Sequence, residues 1–132
     1  MSQENVELVL AAYEWASQKQ ELNLNDVLEE DFEWHTRRDL PDAGVRKGRE
    51  GAVRLREEWV NAFEDFHVDV DEVTDAGDHV VAVTRLCGCL RGSGQELDLE
   101  ETQVWTIRDG KAAAVRAYLT RAEAFKAVGL TE

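Results

Sequence analysis

The sequence predicts an α+β fold in which a curved antiparallel β-sheet carries helices on its concave face. Apolar residues recur at helical spacing in the first half of the chain, whereas positions 66–119 have the pattern of four strands separated by turns. Helical spacing then returns near the C-terminus. Strands in hairpin succession between helical segments are typical of a sheet that helices cover on one face.

The N-terminal half is predicted to hold three helices and one short strand. A stripe of apolar residues at helical spacing indicates the first helix: Val6, Val9, Leu10, Tyr13 and Ala16. A short helix over residues 25–29 and a short strand over residues 32–36 follow. The loop over residues 37–44 is long and charged, so it is either the cover of a pocket or a plain connection. A third helix begins at Arg49 and has the right apolar period.

The C-terminal half is predicted to hold four strands and a closing helix. The strands span residues 66–74, 78–90, 95–108 and 111–119, and the turns between them are rich in Gly and Asp. Thr120 and Glu123 have the spacing of a capping box, so the closing helix begins there. Gly129 ends it.

The strand over residues 95–108 places two polar residues where the core should be. Read at period two, one face carries Gln95, Leu97, Leu99, Glu101, Gln103, Trp105 and Ile107. A buried carboxylate is costly unless it is paired, hydrogen-bonded or protonated. Glu101 and Gln103 therefore either close a polar network or line a cavity.

A tight turn at residues 109–110 predicts which residues oppose this strand, since Asp-Gly is a strong two-residue hairpin signal. With two residues in the turn, Gln103 opposes Arg116. Two positions further along, Glu101 opposes Tyr118. Directly opposed residues share a face, so we expect these four side chains to form one polar cluster on the inner face of the sheet.

The turn at residues 91–94 sets the register of the preceding strand. A two-residue loop within it pairs even positions with odd ones, which adds to the inner face Val80, Ala82, Thr84, Leu86 and Leu90. A three-residue loop would reverse this assignment. The opposite face is then mostly apolar and includes Val81, Val83, Cys87, Cys89, Val104, Val115, Ala117 and Leu119. Such a patch would be large on a monomer, so we predict a homodimer.

Composition and charge bound the class of protein. The 132 residues are predicted to form one domain, 1–132, and the 43% of hydrophobic residues suffice for one core. A formal net charge of −13 argues against nucleic acid or an anionic membrane as partner, since both require clustered Lys and Arg. No signal peptide is visible and no apolar run approaches the length of a membrane span, so we predict a cytoplasmic protein.

The sequence predicts no metal site. Cys87 and Cys89 lie two apart on one face of a strand, which suits neither a disulfide nor a metal site without further ligands. His35 lacks ligand spacing with His67 or His79. We therefore interpret the cysteines as structural thiols in a reducing compartment and expect no cofactor.

Several stretches together resemble a known family. They are the opening helix with Tyr13, residues 31–35 (DFEWH), 48–51 (GREG), 104–111 (VWTIRDGK) and 118–124 (YLTRAEA). The chain is similar over nearly its whole length to SnoaL-like members of the NTF2-like superfamily. This resemblance implies a cone-shaped fold, usually dimeric, with a deep apolar pocket between the concave face of the sheet and the helices. It also implies a hydrophobic, often polycyclic small molecule as ligand and proton transfer next to a carbonyl without a metal.

The resemblance does not carry over a known catalytic set. Tyr13 matches the oxyanion-hole tyrosine of ketosteroid isomerases, but their general-base aspartate falls at or near Thr36 and their protonated aspartate at or near Gln103. SnoaL cyclases carry a catalytic aspartate on the last strand, whereas residues 111–119 contain no acid. The chain therefore lacks both acid–base sets, and its chemistry, if any, must be its own.

The catalytic candidates are Glu101, Tyr13 and His35. Glu101 is either a general acid or base or a silent carboxylate locked to Arg116 and Tyr118. Tyr13 is either an oxyanion donor, as the resemblance implies, or a core tyrosine with a satisfied hydroxyl. Strict alternation turns His35 to the opposite face, so it reaches a cavity only if its short strand is bulged or ends early.

The ligand-binding candidates are aromatic walls and polar positioning groups: Trp34, Trp59, Phe63, Gln103, Trp105, Arg116 and Tyr118. Two hypotheses follow. In the first, the protein is a cofactor-free enzyme that uses Glu101 as acid or base on a hydrophobic small molecule. In the second, it binds such a molecule without catalysis, or it is a dimeric module whose cavity is vestigial. A Glu101 that faces an open cavity favours the first hypothesis, and a closed polar network without a void favours the second.

Overall fold

The computed structural model describes residues 2–37 and 44–130, and this part of the chain contains four helices and six strands. In chain order they are α1 (Ser2–Ala16), α2 (Leu24–Val27), β1 (Leu28–His35), β2 (Val45–Lys47), α3 (Gly48–Ala62), β3 (Phe63–Ala76), β4 (His79–Leu90), β5 (Glu96–Arg108), β6 (Lys111–Tyr118) and α4 (Arg121–Ala127). The strands form one curved, unclosed sheet in the order β2-β1-β6-β5-β4-β3. The predicted α+β fold is confirmed.

The sheet is mixed, which the hairpin pattern did not predict. β1 and β6 run parallel, whereas every other neighbouring pair is antiparallel. β1 also begins earlier than expected, and the three residues of β2 were predicted as loop. β1 directly follows α2 and β2 directly precedes α3, so both lie outside the succession of hairpins that the turn signals mark.

Helices α1 and α3 cover the inner, concave face of the sheet, as predicted. Val9 and Tyr13 of α1 and Ala52 of α3 join one buried cluster with Val80 and Trp105 of the sheet. This cluster is the main core. The polar residues on the inner face of β5 lie at one end of this core, beneath α1 and α3.

Helix α4 is an exception, since it packs on the outer face. Its Ala124 and Phe125 form a second buried cluster with Val81 and Val104. The side chain of Thr120 accepts a hydrogen bond from the backbone N–H of Glu123, which confirms the predicted cap. The outer-face valines are therefore covered within the chain and do not form the exposed patch from which the homodimer was predicted.

The turn at residues 109–110 has the predicted two-residue geometry, whereas the turn at residues 91–94 is a four-residue loop that gives the predicted register. Asp109 and Gly110 both have positive φ, 53° and 79°, as a tight two-residue turn requires. On the other side of β5, even positions of β4 pair with odd positions of β5, for example Val80 with Trp105 and Thr84 with Glu101. The inner face of β4 is thus the one that the sequence predicts.

A bulge in β6 overturns the register predicted for that strand. The pairing with β5 shifts by one residue shortly after the turn, which leaves Ala113 as an extra residue. Since side chains alternate along a strand, one extra residue moves every later side chain of β6 to the other face. Val115 and Ala117 therefore face inward and are buried, whereas Arg116 and Tyr118 face outward. The predicted four-residue polar cluster is wrong in these last two members.

Candidate functional site

A cavity opens between the inner face of the sheet and helices α1 and α3, with a volume of about 70 Å³. Most of its wall is aromatic or aliphatic: Trp15, Ala16, Trp34, Ala52, Leu55, Trp59, Phe66, Val68 and Leu86. Its polar lining consists of Tyr13, Thr36, Arg37, Arg56, Glu101 and Gln103. An apolar body with a few converging polar groups is the usual make-up of a small-molecule site.

Four buried side chains form a hydrogen-bond chain that leads to this cavity. The indole Nε1 of Trp105 donates to the hydroxyl of Tyr13 at 2.8 Å. That hydroxyl donates to Oε1 of Gln103 at 2.6 Å, and Nε2 of Gln103 donates to Oε1 of Glu101 at 2.6 Å. Every donor therefore points toward Glu101. We call the series Trp105, Tyr13, Gln103 and Glu101 the donor chain.

The strand pattern explains why the donor chain forms where it does. Glu101, Gln103 and Trp105 occupy alternate positions of β5, so all three face inward. The hydroxyl of Thr84 on β4 donates to the backbone oxygen of Glu101 at 2.7 Å and ties the two strands at this point. Tyr13 reaches the strand from the buried stripe of α1. The inward direction of Glu101 and Gln103 is thus as the sequence predicts.

Arg37, two residues after the end of β1, is the cationic neighbour of Glu101. Its Nη1 lies 3.9 Å from Oε2 of Glu101, and the two side chains are only 6% and 8% exposed. The preceding residue, Thr36, holds the chain here, because its hydroxyl donates to the carbonyl of Gly44 at 3.1 Å and accepts from the Gly44 N–H at 2.8 Å. The sequence assigned the partner of Glu101 to Arg116. The bulge removes that residue, and Arg37 takes its place.

Arg56 on α3 brings a second guanidinium to the cavity. Its Cζ lies 4.7 Å from the centre of the Trp15 ring, a cation–π contact. Its Nε is buried and has no hydrogen-bond partner among the described residues. A buried donor without a partner costs about 1–3 kcal/mol. A ligand oxygen at this point would remove that cost.

Tyr13 is held as a neutral phenol. Burial raises the pKa of its hydroxyl well above the ordinary value, the hydrogen bond from Trp105 lowers this pKa in part, and the nearby Glu101 raises it further. The single hydroxyl proton is directed at Gln103 rather than into the cavity. In this arrangement Tyr13 positions Gln103, and the predicted oxyanion role would require that hydrogen bond to break.

Several predicted site residues lie outside the cavity. Arg116, Tyr118 and His35 line open grooves on the outer face of the sheet. The bulge places the first two there, whereas His35 follows the alternation of β1, which keeps Trp34 inside. Phe63 stacks on a cavity residue, Trp59, from outside the cavity. None of these four residues lines the cavity, and the outward position of His35 is the one that alternation along its strand predicts.

Among the predicted aromatic walls, Trp34 and Trp59 line the cavity, whereas Trp105 borders only a minor void of about 20 Å³ behind Tyr13. Sequence reasoning missed Arg56 and Trp15 as lining residues. Arg56 lies three positions before Trp59 on the same helix, so a helical projection would have placed the two side by side.

A family model for the SnoaL-like domain matches residues 9–122. The chain belongs to the SnoaL-like family. In this SnoaL-like chain, Tyr13, Thr36 and Gln103, at or near which the resemblance places the ketosteroid isomerase residues, all line the cavity. None of them is an acid, so the carboxylate of the site comes from Glu101 instead. No curated protein matches the chain at the sequence level.

Solved structures of NTF2-like proteins share the fold. A protein from Jannaschia sp. CCS1, assigned as a SnoaL-like polyketide cyclase, is 24% identical, with a TM-score of 0.73 over 89% of this chain and 85% of that one. Bal32a, from a soil-derived mobile gene cassette, is 22% identical, with a TM-score of 0.79 over 96% and 97%. TerC, crystallised with polyporic acid, is 22% identical, with a TM-score of 0.71 over 95% and 98%. At these identities the likeness concerns the fold alone.

None of the helices in the described ranges combines the length and the apolar character that a membrane span needs.

Proposed function

We propose that this SnoaL-like chain binds a compact apolar molecule that carries a carbonyl or acidic oxygen, and that Glu101 exchanges a proton with it. The observation that carries the proposal is the donor chain, which fixes a buried carboxylate at the wall of an apolar cavity. Structures that share this fold include the polyporic acid complex of TerC, which supports a small organic molecule as the class of ligand.

The wall of the cavity defines the ligand. Trp15, Trp34, Trp59 and Phe66 favour a flat apolar body. The orphan Nε of Arg56 favours an oxygen acceptor on that body. The volume of about 70 Å³ is smaller than the ~150 Å³ of an engineered cavity that binds benzene. We therefore propose a ligand of no more than one ring, for which the cavity would already have to widen, and a polycyclic ligand would require a still larger opening.

Proton transfer is the chemistry that these residues support. A base acts in its carboxylate form, and Nη1 of Arg37 lies 3.9 Å from Oε2 of Glu101, where a cation stabilises that form. Glu101 would take a proton from the carbon next to the carbonyl, the electron pair of the broken C–H bond would form a carbon–carbon double bond, and the π pair of the carbonyl would move to its oxygen. The N–H of Arg56 would stabilise this oxygen anion. If the substrate carries a further double bond conjugated with this enolate, return of the proton to the far carbon gives an isomer and consumes no cofactor.

A non-catalytic binding protein is the second candidate, and one observation favours it. The donor chain is complete, and Glu101 is already paired with Arg37. Such a satisfied network stabilises the fold whether or not chemistry takes place. In this case the cavity binds its ligand and Glu101 only orients it.

Two measurements on the same variants test the proposal. Binding of single-ring ketones and phenols is followed by tryptophan fluorescence, and solvent deuterium exchange at the carbon next to the ketone is followed by NMR. The variants are Glu101→Gln and, as a matched control, Glu100→Gln, whose carboxylate lies on the exposed outer face. If the protein is an enzyme, we expect Glu101→Gln to retain binding and to lower the exchange rate at least 100-fold, which is within the range that a general base supplies.

The outcomes separate the two candidates. Binding without enzyme-dependent exchange in the wild type would establish the binding protein. Exchange that Glu101→Gln leaves unchanged would exclude Glu101 as the base. If no compact carbonyl or phenolic compound binds to the wild type, the proposed ligand class is wrong.

We also retain the homodimer and the cytoplasmic location as proposals. Leu119 at the end of β6 is 54% exposed, and open grooves flank the outer face beside α4. These features support a contact between two copies at this end of the sheet, away from the valines that α4 covers. Light scattering tests it: a mass of one chain at micromolar concentration would refute the dimer.

A further inference from the structure

We infer that His67, Asp69 and Cys87 form a zinc-binding site on the outer face of strands β3 and β4. The sequence alone does not predict Cys87 as a metal ligand, because it places no further ligands beside this residue. The fold supplies them, since His67 lies directly opposite Cys87 on the neighbouring strand and Asp69 follows two positions later on the same face. One ligand atom from each residue lies within 4.8 Å of the others.

The distances are close to those of a tetrahedral metal site. Nε2 of His67 lies 3.8 Å from Oδ2 of Asp69, and Sγ of Cys87 lies 3.9 Å from the same oxygen. Bonds of about 2.0–2.1 Å to nitrogen or oxygen and about 2.3 Å to sulfur give ligand–ligand edges of about 3.4–3.6 Å around tetrahedral zinc. Shifts of a few tenths of an ångström would bring the two distances to Asp69 to these values, and the His67 nitrogen and the Cys87 sulfur lie within 4.8 Å of each other.

The imidazole is already oriented for this role. Nδ1 of His67 lies 2.8 Å from the backbone carbonyl oxygen of Asp65, and a carbonyl only accepts, so the ring proton is on Nδ1. Nε2 then carries the lone pair that faces Asp69. A metal-bound histidine that donates its other N–H to a carbonyl is the common arrangement in metalloproteins. The left-handed backbone of Asp65, at φ 56°, presents this carbonyl at the irregularity where β3 shifts its pairing.

The surroundings leave Asp69 available to the metal. The nearby Arg85 pairs with Asp71, Asp98 and Glu100 rather than with Asp69. A mixed nitrogen, oxygen and thiolate set suits zinc better than magnesium or calcium, which prefer oxygen alone. As zinc binds, the S–H bond of Cys87 breaks, its proton passes to solvent and the S–Zn bond forms. Water completes the fourth position.

Such a site would stiffen one wall of the inner cavity. Phe66 and Val68 flank His67, and Leu86 precedes Cys87, so the inward neighbours of the ligands line the cavity. A zinc ion bound to β3 and β4 on the outer face of the sheet would link these two strands and so stiffen the cavity wall that they form. Zinc should therefore raise the melting temperature of the protein, because it binds the folded state alone.

Cobalt substitution with matched variants tests the inference. Co²⁺ is titrated into the wild type, Cys87→Ser, His67→Gln, Asp69→Asn and, as control, Cys89→Ser, which removes the exposed cysteine two positions away on the same face. We expect one equivalent of Co²⁺ to give a thiolate charge-transfer band in the wild type and in Cys89→Ser. The band should be absent in Cys87→Ser, and zinc affinity, measured by chelator competition, should fall at least tenfold in His67→Gln and Asp69→Asn.

The net charge of −13 makes the control essential, since surface carboxylates bind divalent ions weakly. The inference is overturned if the wild type shows no charge-transfer band, if the band persists in Cys87→Ser, or if His67→Gln binds zinc as tightly as the wild type. It is equally overturned if zinc raises the melting temperature of Cys87→Ser as much as that of the wild type.

Discussion

Removal of one hydroxyl from the donor chain should destabilise the protein strongly. Tyr13→Phe deletes the oxygen that accepts from Trp105 and donates to Gln103. The ring itself stays in place and keeps its edge-to-face contact with Trp105, whose centroid lies 5.5 Å away. The substitution therefore changes hydrogen bonding and leaves apolar packing nearly intact.

The expected magnitude follows from the two groups that lose their partner. The indole N–H of Trp105 and the amide oxygen of Gln103 are both buried, and each unpaired buried group costs about 1–3 kcal/mol. We expect Tyr13→Phe to lower the free energy of unfolding by about 2–6 kcal/mol. Urea denaturation measures this loss, provided that the m-value stays unchanged.

The protein contains its own control for this experiment. Its other tyrosine, Tyr118, faces outward, and its hydroxyl makes no hydrogen bond within the described residues. Tyr118→Phe should change the free energy of unfolding by no more than about 0.5 kcal/mol. A cost below about 1 kcal/mol for Tyr13→Phe, or equal costs for the two variants, would refute the donor chain as a set of buried, mutually dependent hydrogen bonds.

Three further predictions follow from single features of the fold. Because the pKa of Tyr13 is raised in the folded state, only the unfolded chain releases the hydroxyl proton near pH 10. Above that pH, the free energy of unfolding of the wild type should fall, relative to that of Tyr13→Phe, by up to about 1.4 kcal/mol per pH unit, which urea denaturation across a pH series measures. Gly51→Ala should destabilise the protein by about 1–3 kcal/mol in thermal unfolding, because the new Cβ would lie 2.9 Å from the backbone of Arg46. This cost exceeds the gain in helix propensity of about 1 kcal/mol, so an unchanged or higher stability would contradict the predicted steric clash. Iodoacetamide should alkylate the exposed Cys89 before Cys87, since burial and nearby carboxylates raise the pKa of the Cys87 thiol; peptide mass spectrometry gives the order, and equal rates would contradict the prediction.

Most of the fold could be predicted because its signals are local. Alternation in β5 placed Glu101 and Gln103 inside, and the Asp109–Gly110 turn fixed the start of β6. Neither signal reports a bulge, since a single alanine among three in a row carries no pattern of its own. That one residue decides which face Arg116 and Tyr118 occupy.

The missing parts of the site come from contacts distant in sequence. Arg37 meets Glu101 because β1 runs parallel to β6, and a parallel pair leaves no turn signal between its strands. The zinc ligands His67 and Cys87 are likewise 20 positions apart and become neighbours only through the register of β3 and β4. The loop over residues 38–43, predicted as a pocket cover or a connection, lies outside the described residues.

Trp105 gives the donor chain a polarity that its covalent chemistry cannot reverse. An indole nitrogen donates and never accepts, so the Tyr13 hydroxyl that receives it must pass its own proton onward. Gln103 must then turn its oxygen to Tyr13 and its amide hydrogens to Glu101. A buried tryptophan that does not line the cavity thus decides that Glu101 Oε1 receives a hydrogen bond from Gln103, which fixes the orientation of this carboxylate at the cavity wall.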